Sequence, residues 1–466
     1  MIQFYIGNVY TTFKTSDNKI LKAMYEMLSY EPKGVKFAAR RLNIKWTKRG
    51  SFLDTHNMRF LTGFLPSIIR ALKTFDAKFE IYDTRKDPVG SIGDYSLHGI
   101  TLYDYQERTL NDFIKAKRGI AKLATGGGKT ETCIAITKCL NIPTLFLTHR
   151  VNLLHQTKRR FEQRLPEMKN KIGVIGDSVF EPNFITIGTV QTIHSMIKSN
   201  PEKILPLLKQ YQMLIIDEAH RSGAKQFWET ASYCENAYYR LALTATPFMK
   251  GNAEDNMYLL GITGEICTEI TNGELIERGI IAKPFFKFFT IDTPKDIKKL
   301  SNWHDIYDAG ISENETRNKI IVNQTKQLRD MGKTIMIITT KVAHGKTLEK
   351  MISDSGVQCA FLSGSTHTDV REKMLNDLDK GKLECLIATN IFDEGISING
   401  INAIILAAGT KSAPALFQRT GRGLRVKDDG NYCIIIDFID TQHKKLLEHS
   451  MKRYNLIKNE KGFHIL

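Results

Sequence analysis

Apolar positions along the chain fall into two series of short runs. In the first, Ile120–Leu123, Thr144–Thr148, Phe184–Gly188, Met213–Ile216 and Tyr239–Leu243 are bounded by Gly or polar residues and alternate with helix-length segments. In the second, Ile335–Thr339, Cys359–Leu362, Glu384–Thr389, Ala403–Ala407 and Tyr432–Asp437 repeat the arrangement. A short continuous apolar run bounded by turn residues reads as a strand buried on both faces, and the helices between such strands are the crossovers a parallel sheet needs. The pattern therefore predicts two α/β lobes in tandem, 96–290 and 291–466, with a charged, loosely patterned connector near Asp292–Arg317.

The first 95 residues follow neither series. Phe13, Leu21, Met24 and Leu28, then Phe60, Leu61, Phe64, Ile68, Ile69 and Leu72, recur at helical spacing, which predicts a small folded α+β domain. Charge then changes the picture. The chain carries a net charge of +16, and Met1–Pro88 holds 16 Lys and Arg against 8 Asp and Glu, hence +8, half of the total. A cationic excess of this size favours a polyanionic partner through counterion release. Lys33, Lys36, Arg40, Arg41, Lys45, Lys48 and Arg49 are interleaved with Phe37, Trp46 and Phe52, so a cationic, aromatic-bearing surface for such a polyanion is expected here; the aromatics are equally suited to the core of so small a domain.

Other features exclude whole classes. The composition, 42% hydrophobic and 25% charged, is that of a globular protein and not of a fibre or a disordered tract. No apolar stretch reaches the roughly 18 residues of a membrane span, and the first residues lack a leader's apolar core, so a cytoplasmic protein with no membrane partner is expected. The seven cysteines stand singly, which predicts reduced thiols and neither a disulfide framework nor a zinc knuckle.

Two strings carry chemistry. In IAKLATGGGKT (Ile120–Thr130) a strand runs into Gly126, Gly127 and Gly128 and then into the helix Glu131–Leu140. Residues without Cβ let backbone N–H groups close on a phosphate at a helix N-terminus. Lys129 then meets the β- and γ-phosphates, the Thr130 hydroxyl suits Mg²⁺, and Thr125 and Glu131 flank the loop. In MLIIDEAH (Met213–His220) an apolar strand ends abruptly in Asp217 and Glu218. At that end of a doubly wound sheet one carboxylate can serve Mg²⁺ and the next can orient and deprotonate water.

With these in place the chain resembles superfamily-2 DExH helicases from Leu102 to Phe438. LYDYQ (Leu102–Gln106) resembles the adenine-reading motif, TLFLTHRVNLLHQ (Thr144–Gln156) motif Ia, ITIGTVQTIH (Ile185–His194) motif Ib, LTATP (Leu243–Pro247) motif III, ATNIFDEGISI (Ala388–Ile398) motif V and QRTGRGLR (Gln418–Arg425) motif VI. The resemblance implies two RecA-like P-loop lobes that hydrolyse ATP with Mg²⁺ in the cleft between them. Gln106 and Gly395 would contact nucleotide, Gln418 would face His220, and Arg422 and Arg425 would reach across to the γ-phosphate. It also implies a strand track made by Thr148, His149, Arg150, Gly188, Thr189 and Gln191 in the first lobe. In the second lobe the matching positions are Thr340, Lys341, Ser363, Gly364, Thr389 and Asn390. Ser397 stands where an acid is commoner in motif V. GISI, ELIERGIIAKP (Glu274–Pro284) and VAHGKTLEKM (Val342–Met351) are similar to the phage UvsW-type, ERCC3-related group, which remodels branched DNA.

The expectation is thus a monomeric motor that unwinds or branch-migrates forked and four-way-junction DNA, with replication or recombination proteins as possible partners. Two alternatives are an RNA helicase and a DNA-binding module that uses ATP only as a switch. A pure switch has no need of a water-activating Glu218.

Overall fold

The computed structural model describes residues 1–32, 49–88, 90, 92–219, 224–248, 253–292, 297–389, 401–409 and 431–466. Its internal contacts divide the chain into two compact units, Met1–Leu123 with Gly128–Glu269, and Ala124–Gly127 with Ile270–Leu466.

The first unit contains two sheets. The N-terminal one has four strands in the order Arg59–Leu61, Tyr10–Lys14, Ile2–Ile6, Phe79–Asp83, antiparallel except for the last pair. Strand alternation turns Ile2, Phe4, Thr11 and Phe13 inward. There they meet Met24 of helix Asn18–Met27 and Ile68 and Leu72 of helix Leu65–Thr74. This small core does not close on itself. Trp228, Met257 and Leu260 of the following lobe pack against it, and Ser67 and Arg70 both donate to the Glu265 carboxylate. So small a layer exposes much surface for its volume, and sharing a core with a neighbour reduces that exposure.

The lobe's own sheet has eight strands in the order Val179–Glu181, Ile172–Gly176, Ile185–Thr189, Thr144–Thr148, Met213–Asp217, Tyr239–Thr244, Arg118–Leu123, Ile266–Ile270. From Ile172–Gly176 through Arg118–Leu123 every pairing is parallel. Ile185–Thr189 and Thr144–Thr148 are buried along their whole length, which is why they read as unbroken apolar runs.

The second unit is built on seven strands in the order Cys359–Leu362, Cys385–Ala388, Ile335–Ile338, Ala403–Ile405, Tyr432–Asp440, Lys283–Ile291, His464–Ile465. All are parallel. The chain passes into this unit for good at Ile270, well before position 290. Helix Asn272–Glu277 and strand Lys283–Ile291, expected in the first lobe, therefore belong to the second body.

The described part of the connector, from Ile297 on, folds within the second unit. Helix Trp303–Tyr307 runs into a π-helical turn, Asp308–Ser312, and Ile306, Tyr307 and Ile311 share a core with Leu446. Arg317 lies inside helix Glu315–Asp330 at 0% exposure. Its Nε donates to Asp440 Oδ1 at 3.1 Å and its guanidinium stacks 4.2 Å over Phe438. A charge silenced by a buried partner looks like a solvent-facing charge in sequence.

Candidate functional site

The glycine loop follows strand Arg118–Leu123 and ends at helix Lys129–Leu140. That helix is rich in Thr and Ile, poor helix formers. It is held by burial of Thr132 through Thr137, Cys139 and Leu140. Gly126 and Gly128 have φ of +90° and +71°, conformations that side chains rarely adopt. A Cβ on Gly128 would lie 2.2 Å from Gln106 Nε2. At Gly126 and Gly128 the loop thus holds a backbone shape that a side chain would disturb. Thr125 Oγ1 is buried and makes no hydrogen bond among the described residues. A cradle without Cβ atoms beside an unmatched buried hydroxyl fits a phosphate.

Gln106 joins the loop to the helix that carries it. Its Oε1 accepts from Tyr103 N at 2.9 Å, completing a capping box on helix Asp104–Ala116, and its Nε2 donates to Gly128 O at 3.4 Å. Tyr103, 53% exposed and stacked on Tyr105 at 5.5 Å, offers a ring face beside this glutamine. Sequence reasoning missed that residue, although LYDYQ contains it.

Two strands away, Met213–Asp217 brings its carboxylates to the strand ends. Asp217 Oδ1 accepts the Glu218 amide at 3.0 Å, and Glu218 has φ +49°, a left-handed conformation uncommon for a residue with a side chain. Such strain concentrates at functional positions. The consequence is geometric: Glu218 Oε1 meets Lys129 Nζ at 3.2 Å. The lysine expected to bind phosphate and the glutamate expected to activate water are already neighbours. Thr130 is half-buried at the helix start. Glu131 instead faces Arg160 of helix Val151–Arg164, so it braces two helices and does not point into the loop. These residues fit a nucleotide with Mg²⁺: Lys129 would meet the phosphates, and Thr130 and Asp217 would hold the metal, whose chemistry is to neutralise phosphate oxygens.

The positions expected to contact a strand divide by exposure. In the first unit Thr148, Gly188 and Thr189 are buried. Gly188 is paired on both sides in the sheet, which uses its backbone groups, and a Cβ there would lie 2.6 Å from Ile193. These three shape the strand ends and offer no surface group. Gln191 is exposed and donates to His149 O at 3.1 Å, joining motifs Ia and Ib, while His149 and Arg150 are half-exposed. In the second unit Ser363 and Thr389 are buried and Gly364 is open, with nothing within 4 Å of an added Cβ. Thr340 and Lys341 are engaged by the connector. Tyr307 bonds the Thr340 hydroxyl, and Asp308 Oδ1 accepts from Lys341 Nζ at 2.5 Å.

Arg49 is exposed and Phe52 packs into the core against Tyr30, Phe64 and Tyr258, so for this aromatic the core role is the observed one. Arg40, Arg41, Lys45, Lys48, His220, Asn390, Gly395, Gln418, Arg422 and Arg425 lie outside the described residues. Five of the seven cysteines are buried and none is in a disulfide. Among the described residues no helix is long and apolar enough to cross a membrane.

Residues 99–249 match the family described as type III restriction enzyme, res subunit, and residues 315–427 the helicase conserved C-terminal domain, together more than half of the chain. A putative helicase of Sulfolobus islandicus filamentous virus is 22% identical over 99% of this chain and 83% of its own length. The ATP-dependent DNA helicase uvsW of Enterobacteria phage T4 is 23% identical over 60% of this chain, which spans only 58% of that protein. A fragment of a putative HsdR subunit of a type I restriction enzyme from Vibrio vulnificus YJ016 superposes with a TM-score of 0.61 at 17% identity, over 93% of this chain and 82% of that one, and so shares the fold. With two RecA-like lobes, a glycine loop and its paired acids, the chain belongs to helicase superfamily 2, the ATP-dependent nucleic-acid helicases.

Proposed function

We propose that the protein is a DNA helicase or translocase that unwinds or branch-migrates forked and four-way-junction DNA as a monomeric, Mg²⁺-dependent motor. The observation that carries this reading is the meeting of Lys129 and Glu218 at 3.2 Å beside a loop free of Cβ atoms. Lys129 leaves Glu218 for the phosphates, and Glu218, relieved of its cation, orients and deprotonates the attacking water. Gln106 reads the adenine and Tyr103 stacks on it. Gln418, Arg422 and Arg425, with Gly395, enter on the resemblance alone. A guanidinium supplied by the second unit would make hydrolysis depend on both bodies and so turn a local charge change into movement.

Gln191, His149, Arg150, Lys341 and the open backbone at Gly364 hold strand phosphates without reading bases, while buried Thr148, Gly188, Thr189, Ser363 and Thr389 fix where those groups stand. The basic N-terminal segment, Arg49 included, selects the branched substrate, and the phage relative's name supports DNA over RNA.

The test is ATP turnover with and without DNA in the wild type and Lys129→Ala, together with processing of a mobile four-way junction, a fork, a tailed duplex and a matched RNA fork in one assay. DNA-stimulated turnover, lost in the variant, with the junction or fork processed first, is expected. Turnover indifferent to DNA of every shape would sink the reading, and preference for the RNA fork would change its substrate.

A further inference from the structure

None of the groups placed at the nucleotide comes from ELIERGIIAKP (Glu274–Pro284). This stretch forms most of helix Asn272–Glu277, a turn at Gly279 and the start of strand Lys283–Ile291. The Thr271 hydroxyl accepts the Glu274 amide and caps the helix. Leu275 O then accepts the amides of both Ile280 and Ile281, which fixes Leu275 and Ile281 in one turn. Both side chains are buried, at 0% and 1% exposure.

Burial alone would make them ordinary core residues. Their neighbour sets them apart. Ala124–Gly127, the first part of the glycine loop, groups with this second unit, and Ala124 N donates to Ile270 O at 3.0 Å, one residue before the cap. A Cβ on Gly126 would lie 2.9 Å from Ile281 Cγ2, and one on Gly127 would lie 3.3 Å from Leu275 Cδ1. The two aliphatic side chains therefore fill the room that side chains on these glycines would take. Gly126 and Gly127 have nothing to pack in return, and Gly126, at φ +90°, has the backbone freedom to move into any space left there. The turn is itself held by the C-terminal segment: Asn272 Nδ2 donates to Glu460 Oε1 at 2.7 Å, and Gly273 and Ile276 lie against Lys461 and Gly462.

We propose that Leu275 and Ile281 are positioning residues for the phosphate loop, a rigid aliphatic backstop that holds Gly126 and Gly127 in the shape that closes on a β-phosphate. The inference rests on the glycine loop being the phosphate site. Removing the backstop leaves a cavity into which a glycine segment relaxes, and backbone donors displaced in this way are felt at the ligand. ADP and ATP both carry the β-phosphate, so both are weakened alike. A contact made equally in the ground and transition states changes binding and leaves kcat near its original value.

The experiment titrates fluorescent N-methylanthraniloyl ADP and ATP, with Mg²⁺, into the full chain and follows phosphate release on the same preparations. Leu275→Ala weakens both nucleotides about tenfold, the low end of what one charged hydrogen bond contributes, with kcat near wild type. Leu275→Val also lacks both Cδ atoms at a smaller loss of volume; it shifts affinity in the same direction and carries the test if Leu275→Ala does not fold. Leu275→Met restores the volume and stays within about twofold of wild type. Leu328→Ala, a cavity in the main core of the same unit, lowers the melting temperature and leaves both affinities unchanged. Wild-type affinity in the folded Leu275→Ala or Leu275→Val chain, or equal weakening in Leu328→Ala, overturns the proposal. Lys129→Ala separates this result from the reading it rests on. If nucleotide binding and turnover survive Lys129→Ala, the loop is not the phosphate site and both fall; if they are lost there and intact in the Leu275 variants, only the backstop falls.

Discussion

Glu218→Gln separates nucleotide binding from hydrolysis. Lys129 Nζ and Glu218 Oε1 stand 3.2 Å apart, with side chains 15% and 17% exposed. At an effective dielectric of about 20, opposite charges at that distance attract with roughly 5 kcal/mol. Desolvation cancels most of it, leaving about 1.5–3 kcal/mol for a charged hydrogen bond. A triphosphate gains Lys129 only by removing it from this partner. Glutamine keeps the shape and gives up the charge, so the competing contact falls to about 1 kcal/mol. The difference, about 0.5–2 kcal/mol, appears as roughly 2- to 30-fold tighter nucleotide binding. The same change removes the base for water, and kcat falls by about 10²–10⁴. A fluorescent ATP analogue titrated by anisotropy, with phosphate release followed on the same preparation, reads both quantities. Affinity unchanged or weaker in the variant refutes the competition for Lys129, and retained turnover refutes the role of Glu218.

Three further perturbations test other links. A methyl on Gly63 would stand 2.0 Å from Leu260 O and 2.7 Å from Gly261 O, backbone atoms that cannot step aside. Gly63→Ala is therefore expected to loosen the N-terminal layer from the first lobe by about 1–3 kcal/mol, seen as faster proteolysis near residue 63. His344 is buried, donates Nε2–H to Asn318 Oδ1 and stands near Arg317; burial first, then that cation, pushes its pKa down to about 3. The native protein thus holds the neutral ring, and the associated stability is complete above the ordinary value of about 6.5 and is lost as pH falls toward 3, by about 1.4 kcal/mol per unit. Between pH 7.5 and 5 wild type should lose about 2 kcal/mol more than His344→Gln in thermal melts, and equal losses would exclude a neutral native His344. Asp308→Asn frees Lys341 from a half-exposed pair worth about 0–1 kcal/mol, so DNA binding should tighten by up to about fivefold with a steeper salt dependence, and weaker binding would mean that Asp308 positions Lys341 and does not compete for it.

What could be read in the sequence follows from what each segment buries. Strands such as Met213–Asp217 are enclosed on both faces, so their apolar runs announce themselves, and the chemistry at their ends stands out by contrast. The glycine loop was equally legible, because its φ values forbid most other residues. Strand Lys283–Ile291, in contrast, carries Lys287 in the middle of its aromatic run, and its nine-residue pairing with Tyr432–Asp440 is a non-local fact that no window detects. The packing of the connector was hidden for a related reason: Arg317 and Asp440 cancel across 123 positions of chain, and neither half of the pair reveals the other. The same blindness hid Tyr307 and Asp308, whose meaning lies in what they hold, Thr340 and Lys341. A motif names the groups that touch a ligand because their chemistry is fixed by that ligand. The residues that aim or restrain them are fixed only by the fold, and here they sit in a segment whose charged composition resembled a linker. The control of this motor should therefore be sought around Asp308 and Arg317, outside its recognisable motifs, where a half-exposed pair begins a π-helical turn and a buried one follows it.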